Sequence, residues 1–341
     1  MDKDKVNIVD VAKKAGVSIA TVSRVLNGSD SVKDDTRKKV QKVIDYLNYV
    51  PHAVAREIQA RNFMTIGVVV PSVYNLFFAE VLDGIEDYLR NNSYFLLLNC
   101  AKNNSDLEMN AVRTMIERKI SGIILLSPNT EEIDENFYRE AVANIPIVLV
   151  NAYNNIPGAS YVGNDEELGT QEAIKYLFSL GHKKILFVRG INSDSYTIKE
   201  EAFREIMKSE NLNATSYIVT IEAGNSMETS DLTTDALLEI LPKTDATAIF
   251  CCNDLMAVGA LNACKLLEKN VPGDISVMGY DNTSIANAIT PKLTSVDQNM
   301  FELGRNAAQM LIEKIDKGQS KRLTLYNTIV ERDSTGPIKG Q

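Results

Sequence analysis

From residue 65 onward the chain repeats one pattern: a short unbroken apolar run, then a longer stretch with helical spacing. The apolar runs are TIGVVVP (65–71), FLLLN (95–99), GIILL (122–126), IPIVLV (145–150), KILFV (184–188), SYIVT (216–220), AIFCC (248–252) and ISVMG (275–279). Between them, segments such as 78–90, 107–119 and 168–180 carry apolar residues at helical intervals. Strands that are apolar on both faces belong in parallel sheets covered by helices on both sides. Eight such units in roughly 270 residues predict an α/β body of two doubly wound parallel-sheet lobes, with a single eight-unit barrel as the alternative. The less regular stretches 160–164 and 293–298 are expected to cross between lobes. On that basis one lobe takes about 63–161 and 293–325, and the other about 162–292 and 326–341.

Several function classes are hard to reconcile with the sequence. No apolar stretch reaches the ~20 residues of a membrane helix, and Met1–Lys5 has no apolar segment behind it, so a cytoplasmic location is expected. Cys100, Cys251, Cys252 and Cys264 form no CxxC pair and read as reduced, buried thiols. The motifs GxSxG, GxxxxGK[ST], HExxH and a GxGxxG after a strand are missing. Of the two histidines, His52 lies in a predicted hinge and His182 in a loop before a strand. No catalytic residue, metal or cofactor is therefore expected, and the chain is not read as an enzyme.

The net charge of −9 argues at first against nucleic acid, but its distribution reverses that. Residues 1–62 hold 12 Lys and Arg against 8 Asp and Glu, a balance of +4, while the remainder holds 24 against 37, or −13. A basic head on an acidic body suits one module that meets phosphate and another that meets something else. Within the head, IVDVAKKAG sets Ile8, Val11, Ala12 and Ala15 on one helical face, Gly16 can end that helix, and Ser18 can cap the next. The second helix, IATVSRVLN, turns Val22, Val25 and Leu26 inward and Ile19, Ala20, Thr21, Ser23, Arg24 and Asn27 outward. A third helix near 33–47 closes the small core with Val40, Val43, Ile44 and Leu47. Helix, glycine turn, helix is a helix-turn-helix, and the outward set suits a major groove: Arg grips guanine, and Ala or Ile touches a thymine methyl. Pro51 then opens a short segment, 51–62, too brief to be a stable helix alone. Paired across a dimer, it could lay Ile58 into a minor groove and kink the DNA.

The runs IVDVAKKAGVSIATVSRVLNG and TRKKVQKVIDYLNYVPHAVAREI resemble the head and hinge of the LacI/GalR family of bacterial transcription regulators. The resemblance extends over essentially the whole chain. It implies a helix-turn-helix domain at 1–50, a hinge helix at 51–62, and a periplasmic-binding-protein-like effector and dimerisation body at 63–341. It also implies a homodimer on a palindromic double-stranded operator. Ile19, Ala20 and Arg24 would read bases, Thr21, Ser23 and Asn27 would contact phosphate or base, and His52, Ala55 and Ile58 would complete the DNA-facing set. Isoleucine at 58 departs from the family's usual leucine. The tail from Asp333 lacks the added helix of the family's tetramers, so a dimer is favoured.

Open α/β sheets bind ligands beyond the carboxyl ends of their strands. Those ends here lead to Asn75, Phe77 and Phe78, to Asn151, to Asn253, to Tyr280-Asp281-Asn282 and to Gln298. Amides and carboxylates with an aromatic face suit a polyhydroxylated ring, whereas a lone Asn or Asp after a strand more often caps the next helix. Phe78, Asn253, Asp281 and Gln298 stand where sugar-responsive relatives hold ligand. Asn151 stands where an acid is common, Lys199 where arginine is usual, and Ala202 where glycine is common. The expected effector is a sugar or sugar derivative bound between lobes, by a set that includes Lys199. The departures resemble the carbon catabolite control branch, which implies as an alternative partner a serine-phosphorylated phosphocarrier protein docked on 298–311. There Phe301 replaces tyrosine and Gln309 replaces the arginine expected to meet the phosphate, with Arg305 a turn away. A free-standing sugar-binding receptor is the rival of another class, but it would have no use for residues 1–62.

Overall fold

The structure, a computed structural model, describes residues 6–26, 29, 31–47, 49, 64–128, 133 and 135–338. It divides into two compact units, Met1–Met64 and Thr65–Gln341.

In the first unit, α1 (Ile8–Ala15) starts on a capping box: the Asn7 Oδ1 accepts from the Val9 and Asp10 amides, and the Asp10 carboxylate accepts from the Asn7 amide. It ends at Gly16, whose φ of 61° and ψ of 40° are left-handed. The Ser18 Oγ accepts from the Thr21 amide at 3.1 Å and opens α2 (Ile19–Leu26). α3 (Asp34–Tyr46) closes the unit. Val11, Ala12, Ala15, Val22, Val25, Val40 and Ile44 form its core, with Ile8, Leu26, Val43 and Leu47 packed against it.

The second unit is a two-lobed α/β body. Its first sheet is built from β1 (Met64–Val70), β2 (Tyr94–Cys100), β3 (Gly122–Leu126), β4 (Ile147–Val150) and β5 (Ser160–Asn164). The helices between them are α4 (Leu76–Asn91), α5 (Ser105–Glu117) and α6 (Glu135–Asn144). The second sheet follows with β6 (Ile185–Arg189), β7 (Ile218–Thr220), β8 (Ala248–Cys251), β9 (Ser276–Asp281) and β10 (Thr294–Asp297). Its helices are α7 (Glu166–Ser179), α8 (Asp194–Ser209), α9 (Thr229–Ile240), α10 (Asp254–Leu266) and the short α11 (Ser284–Ala288). The chain then returns through α12 (Met300–Lys317) and β11 (Arg322–Leu325) before ending in β12 (Thr328–Val330).

Strand order is β11-β5-β4-β3-β1-β2 in one sheet and β12-β10-β9-β8-β6-β7 in the other. β3 pairs in parallel with β1 and β4, and β8 with β6 and β9, while β12 runs antiparallel to β10. The fully buried patterns of β3, β4, β8 and β9 explain their unbroken apolar runs. In each lobe the order reverses at the β1/β3 or β6/β8 pair, the switch point where such sheets open a crevice.

Two stretches expected to be irregular crossovers are strands. Residues 160–164 form β5 of the first sheet and 294–297 form β10 of the second, so 162–164 belong with the first lobe and 293–297 with the second. The backbone crosses just after each, and again between β11 and β12. One amide ties all three crossovers: the Asn164 Nδ2 donates to the Gln298 carbonyl and to the Asn327 Oδ1, each at 2.9 Å. α4 and α12 approach backbone to backbone in the first lobe. A Cβ on Gly84 would lie 2.0 Å from the Phe301 carbonyl oxygen, and one on Gly304 would lie 2.0 Å from that of Val81.

Candidate DNA-reading face and effector cleft

In the first unit Ile19, Ala20 and Arg24 are exposed on α2, while Thr21 and Ser23 are half-buried beside them. Ile19 exposes 47% of its surface although it is a large aliphatic residue. The Thr21 hydroxyl lies 2.9 Å from that of Ser18, so it helps cap the helix it stands on. Asn27, His52, Ala55 and Ile58 lie outside the described residues.

In the body, Asn75, Phe77, Phe78, Asn151, Lys199, Asn253, Asp281 and Gln298 all line one crevice between the lobes. It holds about 740 Å³ of space not filled by atoms, open solvent at its mouth included. Phe77 and Phe78 are buried with rings edge to face at 5.3 Å.

The polar residues divide by how their atoms are used. Asn75 and Asn253 are helix caps: their Oδ1 atoms accept from the Phe77 amide at 3.0 Å and the Met256 amide at 2.9 Å. Their Nδ2 groups are also engaged, Asn75 with the Asn225 Oδ1 at 2.8 Å, and Asn253 with the Gly224 carbonyl at 2.8 Å and the Tyr196 hydroxyl at 3.2 Å. Asn151 sits at the end of β4 with φ of 48°, a conformation its short polar side chain tolerates, and its Oδ1 accepts from the Asn164 amide at 2.9 Å. Asp281 and Gln298 differ. The Gln298 Nε2 donates to the Asp281 Oδ1 at 2.6 Å, which leaves the Asp281 Oδ2 and the Gln298 Oε1 buried with no hydrogen-bond partner among the described residues.

Lys199, on α8, is 2% exposed. Its Nζ donates to the Cys252 carbonyl at 3.2 Å, lies 3.4 Å from the Glu166 carboxylate and stands 3.8 Å from the centre of the Tyr280 ring. Glu166 also accepts from the Ser195 hydroxyl at 2.9 Å and from the Tyr153 hydroxyl. Burial pushes the Asp281 carboxyl well above the ordinary aspartate range, against the pull of the nearby Lys199 ammonium. Burial likewise pushes neighbouring Asp254 up to about 6, although its carboxylate accepts from Thr283 and Ser295. Asp281 has φ of 112° and Asn282 has φ of 58°, so the end of β9 stores backbone strain at the cleft floor.

Sequence reasoning missed Tyr153, Glu166, Tyr196 and Asn225. Asn225 joins the lobes directly: its carbonyl accepts from the Ser72 hydroxyl at 2.5 Å and its side chain from Asn75. A further cross-lobe bond runs from the Ser284 amide to the Glu80 carboxylate at 2.9 Å. Among the described residues no helix is long and apolar enough to cross a membrane, and no group of three or more His, Cys, Asp and Glu could hold a metal ion.

Residues 7–52 match the family described as bacterial regulatory proteins, lacI family, and residues 174–335 match the periplasmic binding protein-like domain. Catabolite control protein A of Priestia megaterium is 35% identical over 336 residues, 97% of this chain and 99% of that protein. The chain belongs to the LacI family. It is a DNA-binding transcription regulator under effector control, and its relatives are transcription regulators, not enzymes. Among solved structures, the lac repressor dimer bound to operator and the anti-inducer ONPF matches with a TM-score of 0.82 at 25% identity, covering 98% of this chain and 100% of that one. The transcriptional regulator CelR–cellobiose complex matches with a TM-score of 0.71 at 26% identity, covering 96% and 99%. A helical DNA-binding head followed by a two-lobed, parallel-sheet body is thus the shared architecture of this LacI-family chain.

Proposed function

We propose that this LacI-family regulator is a homodimeric repressor of carbohydrate genes that takes a polyhydroxylated small molecule, a sugar or sugar derivative, between its lobes. The observation that carries the reading is the pair of unpartnered acceptors, Asp281 Oδ2 and Gln298 Oε1, buried in a cleft that Phe78 also lines. Buried acceptors are costly unless a donor meets them. A ring rich in hydroxyls supplies donors in its plane and C–H surface for an aromatic face. The described relative in complex with cellobiose supports the same class.

On the DNA side, Arg24, Ile19 and Ala20 read base edges, Thr21, Ser23 and Asn27 contact backbone or base, and His52, Ala55 and Ile58 serve the hinge in the minor groove. The head takes 1–50, the hinge 51–62 and the body 63–341. The dimer reading rests on exposed apolar surface. β2 is an edge strand that exposes Phe95, Leu97 and Leu98, and Val258, Leu261 and Ile289 line a groove on the second lobe. Two copies paired through these faces suit a palindromic operator. Cleft occupancy biases lobe closure, and closure decides whether the two hinges pair. Such a regulator works in the cytoplasm and performs no catalysis. A phosphocarrier protein docked on 298–311 is the alternative partner; there the Gln309 Nε2 donates to Glu313, and Arg305 lies 3.9 Å from Asp87 and faces the Phe301 ring.

The test is thermal unfolding of the full chain against sugars, sugar phosphates, nucleosides and purines. A ligand at 100 times its dissociation constant adds ~2.7 kcal/mol of stability. A sugar that stabilises the wild type but not Asp281→Ala is the expected result. Stabilisation by a nucleobase with none by any sugar rejects the reading.

A further inference from the structure

Three loops meet at the mouth of the crevice. Residues 71–75 follow β1 in one lobe, and residues 221–228 follow β7 in the other. The Ser72 hydroxyl donates to the Asn225 carbonyl at 2.5 Å, and the Asn75 Nδ2 donates to the Asn225 Oδ1 at 2.8 Å. The loop after β6 joins them, because the Ile191 amide donates to the Ala223 carbonyl at 3.3 Å. Each loop lends residues to the crevice lining: Pro71 and Asn75, Asn192, and Asn225. Each also leaves large apolar side chains in solvent one or two positions away. These are Val73 and Tyr74, Ile191, and Met227, of which Tyr74 is 57% and Met227 66% exposed.

Exposed apolar residues scattered singly are ordinary, but four carried on loops bonded to one another form a rim. None of the four lines the crevice itself, so a bare sugar inside it does not reach them. A rigid protein surface is a poor occupant, since the crevice runs through the rim and its two sides belong to different lobes. A substituent on a ligand already seated in the crevice meets no such obstacle; it extends past Asn75 and Asn225 and arrives on apolar surface. A phenol ring and a flexible thioether suit a flat aromatic group, by ring contact and by sulfur–aromatic contact. We propose that this rim is a second subsite for the effector: the ligand is a glycoside whose aryl aglycone leaves the crevice beside Asn225 and lies on Tyr74 and Met227. This rests on the polyhydroxyl reading above and narrows it to glycosides.

The phenyl and methyl β-glycosides of glucose and of galactose are the probes, with the free hexoses beside them, in calorimetric titration and thermal unfolding of the full chain. For one of the two sugars the phenyl glycoside is expected to bind at least tenfold more tightly than the methyl glycoside, a ratio worth about 1.4 kcal/mol. Tyr74→Ser and Met227→Ser should each shrink that ratio at least threefold, and because both positions are exposed the variants should fold. Equal or weaker binding of the phenyl glycoside, or a ratio that survives both substitutions, overturns the inference; binding of a hexose or methyl glycoside then leaves the polyhydroxyl reading intact. If the substitutions instead change the oligomeric state in sedimentation velocity and leave the ratio alone, the rim is an interface between copies and the inference falls. Silence from every glycoside and hexose overturns it as well, and the wider ligand screen then decides the polyhydroxyl reading on its own.

Discussion

Replacing Lys199 with methionine removes the ammonium that α8 places in the cleft and strands the Glu166 carboxylate it faces. Methionine has similar length and fills irregular space, so the change is mainly one of charge. Breaking a buried ion pair by deleting one partner costs about 3–5 kcal/mol. Glu166 keeps the Tyr153 and Ser195 hydroxyls as donors, which places the loss near the lower end, about 3 kcal/mol. For a domain of this size that corresponds to roughly 6–12 °C in unfolding temperature. Urea unfolding followed by far-ultraviolet circular dichroism, with scanning calorimetry, reads the change in the transition of the Thr65–Gln341 unit. The double variant Lys199→Met/Glu166→Gln leaves no unpaired charge at position 166 and should recover most of the loss. A single variant that loses less than about 1 kcal/mol, or a double variant no better than the single, would refute the reasoning.

Gly304→Ala forces a methyl against the Val81 carbonyl oxygen and should destabilise the chain by at least 1–3 kcal/mol, as overpacking typically does; an unchanged urea midpoint would contradict the close helix crossing. Asp254 is held up at about 6 by burial, so the folded chain binds this proton more tightly than the unfolded one, and its contribution to stability declines as pH rises from about 4 through 6. The difference in stability between wild type and Asp254→Asn should therefore shift against the wild type across that window, and parallel pH profiles would contradict the assignment. Arg24→Ala should lose about 1–3 kcal/mol of discrimination at one operator position; binding that falls equally on all sequences would make Arg24 a phosphate contact instead.

The parts of the fold legible in the sequence were those whose burial is simple. β1, β3, β4, β8 and β9 lie inside parallel sheets, where both faces must be apolar, and their runs announce it. β5 and β10 are buried too, yet they carry Ser160, Asn164, Thr294 and Ser295, whose hydroxyls and, for Asn164, Nδ2 are met by partners such as Lys321, Gln298 and Thr335. A local pattern cannot reveal such distant partners, so these strands read as irregular. β11 and β12 have only exposed and half-buried positions and give only a faint signal. At the site, Asp281 and Gln298 were visible because they follow strands directly. Glu166 was not, because it opens the helix after the misread β5 and its meeting with Lys199 is tertiary. Asn75 and Asn253 were found for a reason only partly right: both line the cleft, but as caps that spend their polar atoms within the protein.

The crossover strands β5 and β11 occupy one edge of the first sheet, and β10 and β12 the same edge of the second. Gln298 and Asn164 therefore sit on the pivot, where a rotation of one lobe produces almost no travel. Asn75 follows β1, three strands from β5, and Asn225 follows β7, four strands from β10. At ~4.8 Å per strand those are arms of about 14 and 19 Å. The two ends of one ligand thus do different jobs. A group bound at the pivot adds affinity without announcing itself, whereas a group that wedges apart or clamps the Ser72–Asn75–Asn225 contact moves the lobes through the full arc. Under the proposed coupling of lobe closure to hinge pairing, two compounds of equal affinity would differ wholly in what they tell the DNA-binding head, according to which end of the crevice they fill.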